Sequence, residues 1–114
     1  MVPLSGFYEW KDDSTQPGKN TRQPHYIYRG AYPATTPLLV AGLYDDVTTG
    51  GPNPTEFRTF SVLTTLASTT VADVHVRMPV LLTSAADVAA WLQGGGDSAM
   101  VSRLARTARE VCTR

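Results

Sequence analysis

Residues 59–82 read TFSVLTTLASTTVADVHVRMPVLL, two apolar runs of strand length on either side of a short polar span. Phe60, Val62 and Leu63 in the first run, and Val80, Leu81 and Leu82 in the second, are the large and β-branched residues that favour strands. His75 falls between the runs, followed by Arg77 and the pair Met78-Pro79. Pro79 pushes Met78 towards extended backbone, so His75 and Arg77 are held at the start of the second strand. A lone histidine between Val74 and Val76 reads first as a satisfied structural residue, and as a site residue only if other groups join it.

Working outward, the N-terminal stretch Gly6-Phe7-Tyr8-Glu9-Trp10 is aromatic and strand-prone with no polar lead-in. Strand alternation turns Glu9 away from Tyr8 and Trp10 and onto the side of Phe7, where a carboxylate is partly desolvated, as acid–base work near neutral pH requires. The competing reading is a solvent-facing strand glutamate. Lys11 to Pro24 carries a Pro-Gly turn signal and reads as a hairpin loop returning into the strand His25 to Arg29. Gly30 to Pro37 is a second loop. Leu38 to Tyr44 reads as an apolar strand buried on both faces, and Asp45 to Arg58, with its GGPNP run, as a long surface loop without a phosphate-cradling motif.

Beyond the central stretch the period changes to that of a helix. Ser84 and Asp87 are spaced as a capping box ahead of Val88, Ala89, Trp91 and Leu92, and Gly94 to Gly96 end that helix. Val101, Leu104, Ala105, Ala108, Val111 and Cys112 form one apolar stripe of a second helix, with Arg103, Arg106 and Arg109 off the stripe and solvated. Cys112, on the stripe, reads as packing.

Composition bounds the function. With 114 residues the chain is one modest domain. Ten basic and ten acidic residues cancel, so any nucleic-acid affinity comes from a local groove and not from a global basic field. A single cysteine excludes an internal disulfide, and no apolar run approaches the roughly 20 residues of a membrane span. These features, with no secretory signal at the start, predict a reducing, cytoplasmic setting. The two histidines and the cysteine are not at metal-ligand spacings, so neither metal nor cofactor is expected.

Four motifs in order then carry a resemblance: Val2-Pro3-x-x-Gly6-Phe7-Tyr8-Glu9-Trp10-Lys11, Ala41-Gly42-Leu43-Tyr44, Thr59-Phe60 with Leu63-Thr64-Thr65, and His75-x-Arg77-Met78-Pro79-Val80-Leu81-Leu82. Over Val2 to about Leu92 the chain resembles the SRAP family of SOS response-associated peptidases, or abasic-site processing proteins. The resemblance implies an α+β, mostly β mixed-sheet fold with two short helices at the C-terminal end. It also implies that residues 1–114 are a single domain truncated at the N-terminus, whose opening part has no counterpart here.

In that family an N-terminal cysteine attacks the ring-opened aldehyde of an abasic site in single-stranded DNA and closes a thiazolidine with its α-amine. A glutamate and a histidine shuttle protons for that chemistry, and the resemblance assigns these roles to Glu9 and His75. It likewise places Trp10 and Arg77 near the DNA, where an indole can stack on an unpaired base and a guanidinium can hold a phosphate.

Val2 has no thiol, Cys112 is internal with no α-amine beside its sulfur, and Val76 stands where the family commonly has Asp or Asn. The expected function is therefore abasic-site processing on single-stranded DNA in the SOS response, in the cytoplasm at the nucleoid, with covalent crosslinking lost. The alternatives are a non-catalytic single-stranded DNA-binding module, a module completed by a partner such as the missing N-terminal half, and an inactive gene fragment.

Overall fold

A computed structural model describes residues 1–12, 22–30, 36–94 and 97–107. Eight short strands precede two helices, so the architecture is α+β and mostly β. Every pairing among the described strands is antiparallel.

The first strand, β1 (Val2–Leu4), pairs with β4 (Leu38–Val40), and β2 (Phe7–Asp12) pairs with β3 (Arg22–Ile27). The hairpin read from the Pro-Gly signal is present, although its returning strand begins at Arg22, ahead of His25; the residues of its turn, and most of the loop read at 30–37, lie outside the described residues. The strand β5 (Gly42–Thr48) pairs with β6 (Glu56–Val62), and β7 (Thr64–Leu66) with β8 (Arg77–Pro79).

The run Leu38 to Tyr44 is not one buried strand. Leu38, Val40 and Ala41 are buried as read, but the chain passes into β5, where Leu43 and Tyr44 are exposed. Asp45 to Arg58 is likewise not one long loop, because the β5–β6 ladder continues to Thr48 and resumes at Glu56. Thr49 and Thr55 close its turn, through Thr49 N–H to Thr55 O at 3.0 Å and Thr55 N–H to Thr49 Oγ1 at 2.9 Å. Phe60 and Val62 lie on a strand as read, and both are exposed on β6. Alternating residues that look core-bound need a second layer to cover them, and here Tyr44, Phe57 and Phe60 stay open to solvent.

Two apolar cores lie on either side of the segments 38–41 and 80–82. Ile27, Leu38, Val40, Val71, Met78 and Leu81 form the first, with Val2, Leu4 and Phe7 packed on it. Ala41, Val80, Leu82 and Leu104 form the second, with Leu39, Leu63, Val88 and Trp91 against it. Strand alternation sends successive side chains to opposite cores, which is why Val80-Leu81-Leu82 is an unbroken apolar run. The backbone ties the layers together where Ala41 N–H donates to Val80 O, Leu63 N–H to Ala41 O and Val80 N–H to Leu63 O, all at 2.8–2.9 Å.

Helix α1 (Ala85–Leu92) starts at the capping box read from the sequence. Ser84 Oγ accepts from Asp87 N–H, and Asp87 Oδ2 accepts from Ser84 N–H and from the hydroxyl of Thr83. Helix α2 (Ser98–Thr107) is anchored by fully buried Leu104, worth about 1.5–3 kcal/mol for a side chain of that size. The apolar stripe is seen as far as Ala105; Ala108, Arg109, Val111 and Cys112 lie outside the described residues. Arg103 is not simply solvated, since its Nη1 donates to Asp87 Oδ1 at 2.7 Å and so joins the two helices.

Candidate acid–base site

The site is built where β2 faces the turns leading into β8. On β2, Phe7, Glu9 and Lys11 are partly buried while Tyr8, Trp10 and Asp12 are exposed, the alternation expected of a sheet with one covered face. Phe7 packs on the first core, so Glu9 sits at that core's margin. Opposite, the segment 68–75 is wound into turns: Val71 and Ala72 donate backbone hydrogen bonds to Ser68 O, and Val74 and His75 donate to Val71 O. Val71 and Val74 are buried and pin these turns, which leaves the side chain of His75 directed outward.

These elements bring Glu9 and His75 together. His75 Nδ1 lies 3.8 Å from Glu9 Oε1, with the side chains 43 % and 25 % exposed, so the pair is both in contact and open to a ligand. This is ion-pair distance and longer than a hydrogen bond. The same Nδ1 is 3.2 Å from Arg77 N and 3.0 Å from Arg77 O. A neutral ring with its proton on Nε2 accepts the Arg77 N–H; a proton arriving at Nδ1 is given instead to Arg77 O or to Glu9. One nitrogen therefore serves as acceptor or donor with partners in place for both states, as a proton-transfer group requires.

Arg77 is held differently from a free phosphate-binding arginine. Its Nε donates to Thr64 Oγ1 at 3.0 Å, and its Nη2 to Thr64 O at 2.9 Å and to Thr64 Oγ1 at 2.6 Å. Nη1 has no partner among the described residues. Trp10 is half exposed, but it projects from the face of β2 opposite to Glu9, in a row with Tyr8, Tyr26 and Tyr28 whose neighbouring ring centroids are 4.9–6.5 Å apart. The structure thus joins Glu9, His75 and the Arg77 backbone, and leaves Trp10 on the other side of the strand.

Four residues beside the pair are not among the site residues read from the sequence. Thr64 fixes Arg77; Lys11 Nζ meets Asp73 Oδ2 at 3.4 Å across the same gap; and His25 stands directly opposite Glu9 in the β2–β3 register. Only the register of the hairpin, set by the length of its turn, places His25 there. Among the described residues no group of His, Cys, Asp and Glu is arranged to hold a metal ion.

Compared with known protein families, residues 1–113 match the one described as SOS response associated peptidase (SRAP). The match runs past the last sequence motif and takes in α2. No curated protein matches the chain.

Proposed function

The chain belongs to the SOS response associated peptidase (SRAP) family, which associates it with the response to DNA damage, and on that premise we propose that it acts on abasic sites in single-stranded DNA, with Glu9 and His75 as its acid–base pair. The observation that supports this most is the 3.8 Å contact between Glu9 Oε1 and His75 Nδ1, drawn from distant parts of the chain and left open to solvent. Opening of the abasic sugar ring breaks the C1′–O4′ bond as the C1′ hydroxyl gives up its proton and becomes the aldehyde, and the departing ring oxygen needs a proton. Glu9 delivers it in its acid form and His75 returns it, with Arg77 O and Arg77 N–H holding the ring in each state.

Residues 1–114 act as one domain in this reading. The one cysteine among residues 1–114, Cys112, has no α-amine beside its sulfur, so in this reading these residues close no thiazolidine and contribute recognition and proton transfer. Trp10 stacks on an unpaired base and Arg77 meets a phosphate. Because Trp10 and Glu9 lie on opposite faces, the strand turns round the edge of β2 left unpaired among the described residues. The site of action is cytoplasmic, at the nucleoid; among the described residues no helix is long and apolar enough to cross a membrane.

The test is fluorescence anisotropy with single-stranded and duplex oligonucleotides, each with and without an abasic site. Binding should favour the single strand and the abasic site and weaken steeply with salt, and Glu9→Gln and His75→Asn should lower the preference for the abasic site. Equal affinity for duplex and single strand would overturn the proposal. On a denaturing gel the chain should give no heat-stable crosslink, and such a band would overturn the claim of lost crosslinking.

A second reading, a module completed by a partner, is favoured by the bare β5–β6 hairpin, where Tyr44 and Phe60 are 68 % and 69 % exposed as a cross-strand pair. An isolated two-stranded hairpin is marginal in water, and an apolar one invites cover. Light scattering with a thermal melt decides: a monodisperse monomer melting cooperatively above about 60 °C would count against it.

A further inference from the structure

Among the described residues two shielded side-chain atoms have no hydrogen-bond partner, Ser68 Oγ and His25 Nε2. Ser68 belongs to packing: its backbone N–H donates to Met78 Sδ at 3.2 Å, beside the first core. His25 is placed otherwise. It is paired with Glu9 across the β2–β3 ladder, so the two side chains leave the sheet on the same face with their Cβ atoms about 4.5–5.5 Å apart. Fully buried Ile27 lies two residues along on that face.

The charged groups around this face each have a neighbour. Lys11 is paired with Asp73, Glu9 is against His75, and the Arg77 guanidinium is turned to Thr64. Among the described residues around this face His25 Nε2 is the shielded atom left without a hydrogen-bond partner, and an unpaired shielded nitrogen is costly, so the position is one that a ligand atom completes with gain. A purely structural histidine in the same place would be satisfied by its neighbours.

We propose that His25 is a substrate-recognition residue, whose Nε2 forms a hydrogen bond with the sugar oxygen at C1′ of the abasic site held between Glu9 and His75. The inference rests on the abasic-site reading above and adds to it the group that distinguishes an abasic sugar from an inert spacer. Glu9 and His75 move protons; His25 reads the oxygen that the lost base leaves behind.

The experiment compares two single-stranded oligonucleotides of one sequence, with a natural abasic site or with the tetrahydrofuran analogue that lacks the C1′ hydroxyl. By anisotropy the wild-type chain should prefer the natural site by about tenfold, the size of one hydrogen bond to a shielded group. His25→Phe should abolish that preference and leave the affinity for the analogue unchanged, and His25→Gln should keep part of it. The sequence has two histidines, so the ring ¹⁵N resonances of wild-type His25 can be followed even if a variant misfolds; they should move with the natural site and not with the analogue. Absence of binding to either oligonucleotide would overturn this inference together with the abasic-site reading. A natural-site preference that survives in folded His25→Phe, equal wild-type affinity for both oligonucleotides, or unmoved His25 resonances would overturn this inference alone.

Discussion

Lys11 Nζ lies 3.4 Å from Asp73 Oδ2, two residues beyond Glu9 on β2 and two before His75 in the turns that face it. The ion pair and the acid–base pair therefore span the same gap, and the first holds the second in register. Both charges are nearly half exposed, so the pair contributes only about 0.2–1 kcal/mol. Lys11→Glu should lower stability by that amount or slightly more, since it adds a third carboxylate beside Glu9 and Asp73. The exchange Lys11→Asp with Asp73→Lys should recover part of the loss. Urea denaturation of the single and double variants measures the coupling, and strictly additive losses would show that the two residues do not interact.

Asp87 gives the fold a pH-dependent joint. It is 3 % exposed, and burial by itself raises its carboxyl; the hydrogen bonds from Arg103, Ser84 and Thr83, with the charge of Arg103, outweigh burial and hold it below the usual 3.8. A carboxylate whose folded value is depressed stabilises the fold fully above its unfolded value, and that contribution is lost as the pH falls through the folded one. Stability should thus be level in this respect above about pH 5 and decline below pH 3.8. Asp87→Asn should flatten that decline, whereas Ser84→Ala, which removes the cap and one of the hydrogen bonds that hold the Asp87 carboxyl down, should cost about 1 kcal/mol near neutral pH and weaken the decline only in part. Thermal melts between pH 3 and pH 7, on the order of the range over which carboxylates titrate, would show an unchanged acid limb in Asp87→Asn if the joint is not there.

Gly6 is required by contact and not by backbone freedom. A Cβ built there would lie 2.5 Å from Cζ of Tyr26 and 2.6 Å from the backbone oxygen of Ile27. The ring can move, but the carbonyl belongs to β3 and moves only with the strand. Gly6→Ala should therefore destabilise the chain by about 1–3 kcal/mol, as overpacking does, and disturb the register that sets His25 against Glu9. A melting temperature equal to wild type would show that the β2–β3 hairpin yields more easily than its contacts imply.

Legibility in the sequence followed local rules. The capping box at Ser84 and Asp87, the strand character of Phe7 to Trp10 and the burial of Leu38, Val40 and Ala41 are decided by neighbours close in the chain and are readable, whereas Lys11 and Asp12, read as loop, continue the strand. The β5–β6 hairpin is misread over Asp45 to Arg58, because its polar outer residues Asp45, Asp46 and Arg58 look like loop, while Phe60 and Val62 read as strand and lie on one. What joins the two strands is the Asp46–Arg58 pair, 2.6 Å apart across the ladder, with the Arg58 guanidinium 4.5 Å from the centre of the Tyr44 ring. At the site, Glu9, His75, Trp10 and Arg77 were named from their motifs, but their relative placement was not. Alternation separates Trp10 from Glu9, and only tertiary packing brings Thr64 to Arg77 and His25 to Glu9.

Thr64 and Arg77 supply the last prediction. Two of the three guanidinium nitrogens are turned to Thr64; in the proposed function Nη1 is the one that meets a phosphate, with Thr64 as its positioning residue. Binding of single-stranded DNA releases about 0.7 counterion per neutralised phosphate, so Arg77→Gln should reduce the slope of log affinity against log salt by roughly that amount. Thr64→Val keeps the charge but removes the hydroxyl that anchors it. It should leave the slope unchanged while lowering the affinity a few-fold, on the scale of one neutral hydrogen bond of about 1 kcal/mol. The two variants thus separate charge from placement in one titration series from about 50 to 200 mM salt. If Arg77 serves only to brace β7 against β8, Arg77→Gln will lower the melting temperature and leave the salt slope where it was, and Arg77 would then be struck from the DNA-facing residues.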